Sequence, residues 1–147
     1  MFYHEHESRA EILKGLQIDD PMVFVQWDFS VNDIEDCFQE HPLLRITGDY
    51  YVIKNVRLFD SLICNVGFHF DEKLKRIEFF RDDHDSLQKS YNDFQKRFEY
   101  KFGKPSKCGK VLDEFESSEW KFGNKVKIYH DVMDRFGLVE YLCIEKI

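Results

Sequence analysis

The sequence predicts an α+β protein: a mostly antiparallel sheet of about six to seven strands, with two main helices on one face. Three observations lead there. Aromatic-rich runs with strand alternation follow one another across polar links of two or three residues, as hairpins do. One long segment, residues 85–102, places Leu87, Tyr91, Phe94, Phe98 and Phe102 at steps of four, three, four and four, which is one face of a helix. The strand-like runs do not alternate one by one with helices, as a parallel sheet would require. With 147 residues the chain is expected to form a single domain, 1–147, with residues 1–7 as a mobile tail.

Taken in order, Ser8-Arg9-Ala10-Glu11 has the spacing of a capping box and leads into Ile12, Leu13 and Leu16, which predicts a short first helix. Asp19-Asp20-Pro21 breaks the chain, and Met22 to Trp27 reads as a buried strand. Ser30 can cap a second helix, with Val31, Ile34 and Phe38 as its apolar stripe and His41-Pro42 as its stop. Tyr50 to Phe59 is a strand with Val52, Val56 and Leu58 on one face and Tyr51, Ile53 and Phe59 on the other. Leu62 to Phe70 and Leu74 to Phe80 follow as strands, each after a short polar turn. Gly103 and Pro105 stop the long helix. A polar connection follows, with a turn of helix at Val111 to Phe115. The chain then ends in three strands: Trp120 to Phe122, Val126 to Ile128, and Leu138 to Ile144. The order helix-strand-strand-strand is given twice, which suggests a duplicated unit without a residue-level repeat.

Trp27-Asp28-Phe29-Ser30, leading into a short helix and then hairpins, with a second meander after the second helix, resembles the small helix-on-meander domains of β-lactamase inhibitor protein and of SmpA-type outer-membrane assembly lipoproteins. The lipoprotein signal and cysteine of that second group have no counterpart here. The resemblance implies a protein-binding module and brings no catalytic residues with it.

Charge is unevenly distributed. Residues 1–49 carry three bases against eleven acids, a balance of −8, and the remaining 98 residues balance at +1. Such an acidic third repels nucleic acid and attracts a basic protein. No apolar run approaches the ~18 residues of a membrane span. The acidic start, Met1 to Glu7, lacks the order of a signal peptide, so the cytoplasm is the expected compartment. The four cysteines, Cys37, Cys64, Cys108 and Cys143, form no C-x-x-C pair and are expected as reduced structural thiols.

Motifs of chemistry are sparse. His4-Glu5-His6 has metal-like spacing on a strand but no second ligand cluster beside it, and Asp82-Asp83-His84-Asp85 suits a helix N-terminus better than a calcium loop. A cysteine nucleophile would need Cys64 with His69 or Cys143 with His130. No metal, cofactor or catalytic residue is expected. Aromatic residues make up 16% of the chain. Tyr50-Tyr51, Phe79-Phe80 and Phe2-Tyr3 put rings on consecutive positions, so one sheet face could expose them.

The first functional expectation is therefore a protein-interaction domain, most concretely a bacterial immunity protein that neutralises a basic toxin. Asp33, Glu35, Asp36 and Glu40 would steer the encounter, with Tyr50 and Tyr51 in the contact. A second is a small-molecule binder or enzyme using the sheet face through His69, Tyr129, His130 and Glu140. A third is a homodimer through a sheet edge, with Leu138 to Ile144 as that edge, or through the exposed aromatic face.

Overall fold

The computed structural model describes residues 2–82, 86–112 and 115–147, excepting the side chains of 2–6 and 110–112. Helix α1 (Phe2–Ile12) and the hairpin of β1 (Gly15–Ile18) and β2 (Val23–Gln26) come first. Then come α2 (Val31–Cys37) with β3 (Leu43–Thr47), β4 (Tyr50–Leu58), β5 (Leu62–Asp71) and β6 (Lys73–Phe80). The last group is α3 (Leu87–Phe102) with β7 (Lys107–Leu112), β8 (Phe115–Phe122), β9 (Val126–Asp134) and β10 (Leu138–Lys146). The architecture is α+β, with an antiparallel eight-stranded sheet in the order β3-β4-β5-β6-β10-β9-β8-β7 and the β1–β2 pair apart from it. A helix followed by a four-stranded meander thus occurs twice, and the two meanders join where β10 pairs with β6.

Several boundaries depart from expectation. The first helix begins at Phe2 rather than Ser8, so residues 2–7 are helical backbone where a tail was expected. Gly15 is in a strand, because β1 and β2 approach so closely that a Cβ there would lie 2.0 Å from the Val25 carbonyl oxygen. Residues 111–112 continue β7, and β8 starts at Phe115, so the expected helical turn is absent from those described positions. The final strand is not an edge. It lies between β6 and β9, and its apolar character on both faces is that of a central strand.

A bulge between Ile53 and Val56, with Asn55 at φ 56°, reverses the expected parity of β4. Tyr51 and Ile53 therefore share the core with Val56 and Leu58, while Val52 is buried outside that cluster. The Asn55 N–H freed by the bulge donates to Asn65 Oδ1 at 3.0 Å.

The core lies between the sheet and the helices and is built on rings. Phe98 of α3 meets Phe59, Phe79, Phe102 and Trp120 with centroid separations of 5.1–6.2 Å. Phe38, at the end of α2, packs on Phe68 of β5. Helix α1 rests against α3, where Arg9 donates to the Phe102 carbonyl at 2.7 Å, and Trp27 Nε1 donates to the Ile12 carbonyl at 2.8 Å. Ser30 caps α2 in a reciprocal box with Asp33, and Ser86 caps α3. No helix among the described residues is long and apolar enough to cross a membrane.

Candidate partner-binding surface

The core-forming residues of the sheet alternate with a second set that points away from the helices. Register sets one row of this second face across all eight strands: Leu44, Val52, Gly67, Glu78, Cys143, Tyr129, Glu119 and Lys107. The adjacent row holds Tyr50, His69, Arg76, Glu145, Lys127 and Lys121. Glu78 sits between two small neighbours, Gly67 and Cys143, at the middle of the sheet. A Cβ at Gly67 would lie 2.7 Å from the Tyr50 ring, so glycine lets that ring lie flat over β5. There Tyr50 stacks on His69 with centroids 4.1 Å apart.

The centre of this face is a connected polar patch. His69 Nε2 and Glu78 Oε1 are 2.6 Å apart, and Arg76 Nη2 lies 3.4 Å from His69 Nδ1 and 3.7 Å from Glu78 Oε1. A guanidinium can only donate, so His69 accepts at Nδ1 and donates from Nε2 to the carboxylate. Burial pushes the Glu78 pKa up, but the hydrogen bond from His69, with the Arg76 charge and the Tyr50 hydroxyl, outweighs it and leaves a net depression. Tyr50 is raised by burial and by Glu78. Beside the patch, burial raises the Tyr141 phenol and pushes the Cys143 thiol up to about 11. Lys127 lies over the Tyr129 ring at 4.4 Å and 3.8 Å from Glu119. The side chains of His69, Glu78 and Arg76 are partly exposed, and Arg76 Nε is a buried donor with no hydrogen-bond partner among the described residues.

A second polar cluster lies on the opposite face, beneath α3. His130 is fully buried and stacks on Tyr91 at 4.0 Å. Its Nε2 is 2.5 Å from Glu140 Oε2, and its Nδ1 is 2.7 Å from Gln95 Oε1. Ser90 donates to the other Glu140 oxygen at 2.6 Å, and Arg81 donates to Ser90 and to Asp93. The Gln95 amide nitrogen donates to Glu99 and Ser118. The Tyr91 hydroxyl donates to the Glu116 carbonyl, and burial pushes that phenol up to about 12. The cluster separates the main core from a smaller one of Tyr91, Phe115 and Val132. Its groups satisfy one another within the fold, which is the pattern of a structural polar layer.

The residues singled out in the sequence divide accordingly. Tyr50 is in the open patch, whereas Tyr51 is only 6% exposed and packs edge-on against Phe70 in the core. Asp33, Glu35, Asp36 and Glu40 are exposed, with Asp33 held in the α2 cap. The proposed quartet of His69, Tyr129, His130 and Glu140 does not line one face, because His130 and Glu140 point under α3 while the other two point away. Strand parity also separates Cys64 from His69 and Cys143 from His130, which removes both thiol–imidazole pairings.

All four cysteines are free thiols; Cys64 and Cys143 are buried, Cys37 is half-buried and Cys108 is exposed. His4-Glu5-His6 lies in helical backbone, not a strand, and its side chains are outside the described residues. Asp83, His84 and Asp85 lie outside the described residues. No group of three or more His, Cys, Asp or Glu among the described residues could hold a metal ion. Arg76 and Glu78 escaped sequence reasoning. The alternation of Lys73 to Phe80 puts them on one face together, but only register brings them to His69 and Tyr50. Compared with family models, with curated proteins and with solved structures, the chain matches none.

Proposed function

We propose that this chain is a protein-interaction module that binds a basic partner, in its most specific form an immunity protein that neutralises a toxin in the bacterial cytoplasm. The observation that carries the reading is the uncovered face of the eight-stranded sheet, with Tyr50, His69, Arg76 and Glu78 joined at its centre. A broad sheet face suits a protein surface, and tyrosine and arginine are the residue types that dominate binding energy at such contacts. The partly exposed rings are held by stacking, so little side-chain freedom is lost when they are covered. The acidic first third, with Glu35, Asp36 and Glu40 exposed on and just after α2, favours fast encounter with a basic protein. The resemblance to helix-on-meander interaction domains points the same way.

The experiment is affinity capture from native lysate at low and high salt, followed by identification of the partner and calorimetry with Tyr50→Ala and Arg76→Ala. A basic partner whose affinity falls with salt and collapses in both variants supports the reading. A partner that binds both variants as tightly as the native chain overturns the assigned surface. If only a second copy of this chain is captured, and light scattering gives a dimer, the homodimer reading replaces it.

A further inference from the structure

The sheet ends in β3 on one side and β7 on the other, and the two edges are built differently. β7 follows Pro105, carries exposed Lys107 and slips register between Cys108 and Val111. Proline, lysine and irregular pairing are the usual devices that keep an edge from accepting another strand. β3 has no lysine and no proline within it, although Pro42 directly precedes it and Arg45 on it is exposed. Its Leu43, Leu44 and Arg45 stay in register with Ile53, Val52 and Tyr51, and the irregularity comes only after Arg45. Leu44 is 41% and Ile46 54% exposed, large apolar side chains on an end strand that, among the described residues, pairs only with β4.

Acids bracket this edge. Glu40 lies three residues before Leu43 and Asp49 two residues after Thr47. At roughly 3.5 Å per residue, both backbones are within about 11 Å of the strand ends. Glu35 and Asp36 are exposed on α2, and no ion pair engages Glu35, Asp36, Glu40 or Asp49 among the described residues. A second copy of the chain is a poor occupant. Antiparallel pairing of two β3 edges would set Glu40 of one copy toward Asp49 of the other, like charge against like.

We propose that the β3 edge accepts an extended, lysine- or arginine-bearing strand of the partner protein as a ninth strand of the sheet. The inference rests on the protein-interaction reading and gives it a binding mode. Main-chain hydrogen bonds supply affinity, Leu44 and Ile46 meet apolar side chains of the incoming strand, and the bracketing acids select basic flanks. The open face and the β3 edge are continuous through Leu44 and Val52, which are register partners. A strand added at the edge therefore brings its parent domain over Tyr50 and His69.

The test uses the full ¹⁵N-labelled chain and three peptides of about nine residues, the length of an ordinary strand. The first alternates lysine with valine, the second replaces lysine by glutamate, and the third is the lysine peptide N-methylated at alternate residues. The expected result is slowed amide exchange confined to residues 43–47 with the lysine peptide, and binding weaker by about tenfold or more with each of the other two. Equal binding of the N-methylated peptide would mean charge attraction without strand pairing and would overturn the proposal. So would absence of slowed exchange in β3 with all three. Leu44→Lys/Ile46→Lys changes two exposed positions, and circular dichroism checks its fold. If it binds the native partner unchanged while Arg76→Ala does not, the edge is excluded and the interaction reading stands. If neither change affects the partner, both fail.

Discussion

His69 and His130 meet nearly the same partners in opposite settings. Each ring stacks on a tyrosine, Tyr50 at 4.1 Å and Tyr91 at 4.0 Å, and each sets Nε2 against a glutamate at 2.6 Å or 2.5 Å. They differ in what the other ring nitrogen faces and in what covers them. His130 Nδ1 faces the Gln95 amide oxygen inside a layer sealed by α3. His69 Nδ1 faces Arg76, and no helix among the described residues lies over it, so the ring stays in reach of solvent. The same side-chain chemistry therefore serves as an internal fastener on one face and as available surface on the other. What decides is the strand parity that points one pair under a helix and the other away from it.

The largest effect that would break this contrast is on folding. Glu140→Ala leaves His130 and Ser90 without their acceptor in a buried site, and the expected loss is about 3–5 kcal/mol by chemical denaturation. Glu78→Ala removes a partly exposed pair, and the expected loss is about 1 kcal/mol or less in the same assay. Equal losses would mean that the open patch is as structural as the sealed one. The next effect is kinetic. Neutralising Glu35, Asp36 and Glu40 together should lower the association rate with a basic partner by about tenfold at low salt, with little change in dissociation. Stopped-flow rates unchanged by the triple variant would remove the steering role.

Smaller again is a pH effect. The Glu78 pKa is depressed in the folded protein, so its contribution is complete above the ordinary carboxylate value of 4.5 and is lost as pH falls through the lowered folded value. The urea midpoint of Glu78→Gln should therefore fall less on acidification than that of the native chain, and parallel midpoints would refute the assignment. Smallest is a chemical difference with no stability cost. A thiol reagent should label exposed Cys108 well ahead of Cys64 and Cys143, both buried, their pKa values pushed up to about 12 and 11. Mass spectrometry of the partly labelled native chain would show a contrary order directly.

How much of this can be read from residues alone depends on the range of the signal. Helix α3 is legible because its stripe from Leu87 to Phe102 is local and long, with Gly103 as its stop. The β4–β5 and β5–β6 hairpins are legible because Asp60-Ser61 and Asp71-Glu72-Lys73 are short polar turns. β3 and β7 are not. Leu43-Leu44-Arg45-Ile46-Thr47 lacks alternation and follows a proline, and Lys107 to Leu112 is interrupted by Gly109. Gly15 breaks a helix pattern for a reason found only in space, the approach of β2. At the site, parity shows that Tyr50 and Tyr51 must oppose each other, but which of them is buried depends on the side the helices cover. The His69–Glu78 and His130–Glu140 pairs depend on register, and no short-range pattern records it.

The central claim is that the uncovered sheet face is where the partner binds. Calorimetry of the captured partner against the native chain, Tyr50→Ala, Arg76→Ala and a control on the exposed side of α3, Lys96→Ala, tests it most directly. The account predicts losses of about 2 kcal/mol or more in binding for the first two variants, with folding nearly unchanged and the control binding like the native chain. Native-like affinity in both Tyr50→Ala and Arg76→Ala would contradict it.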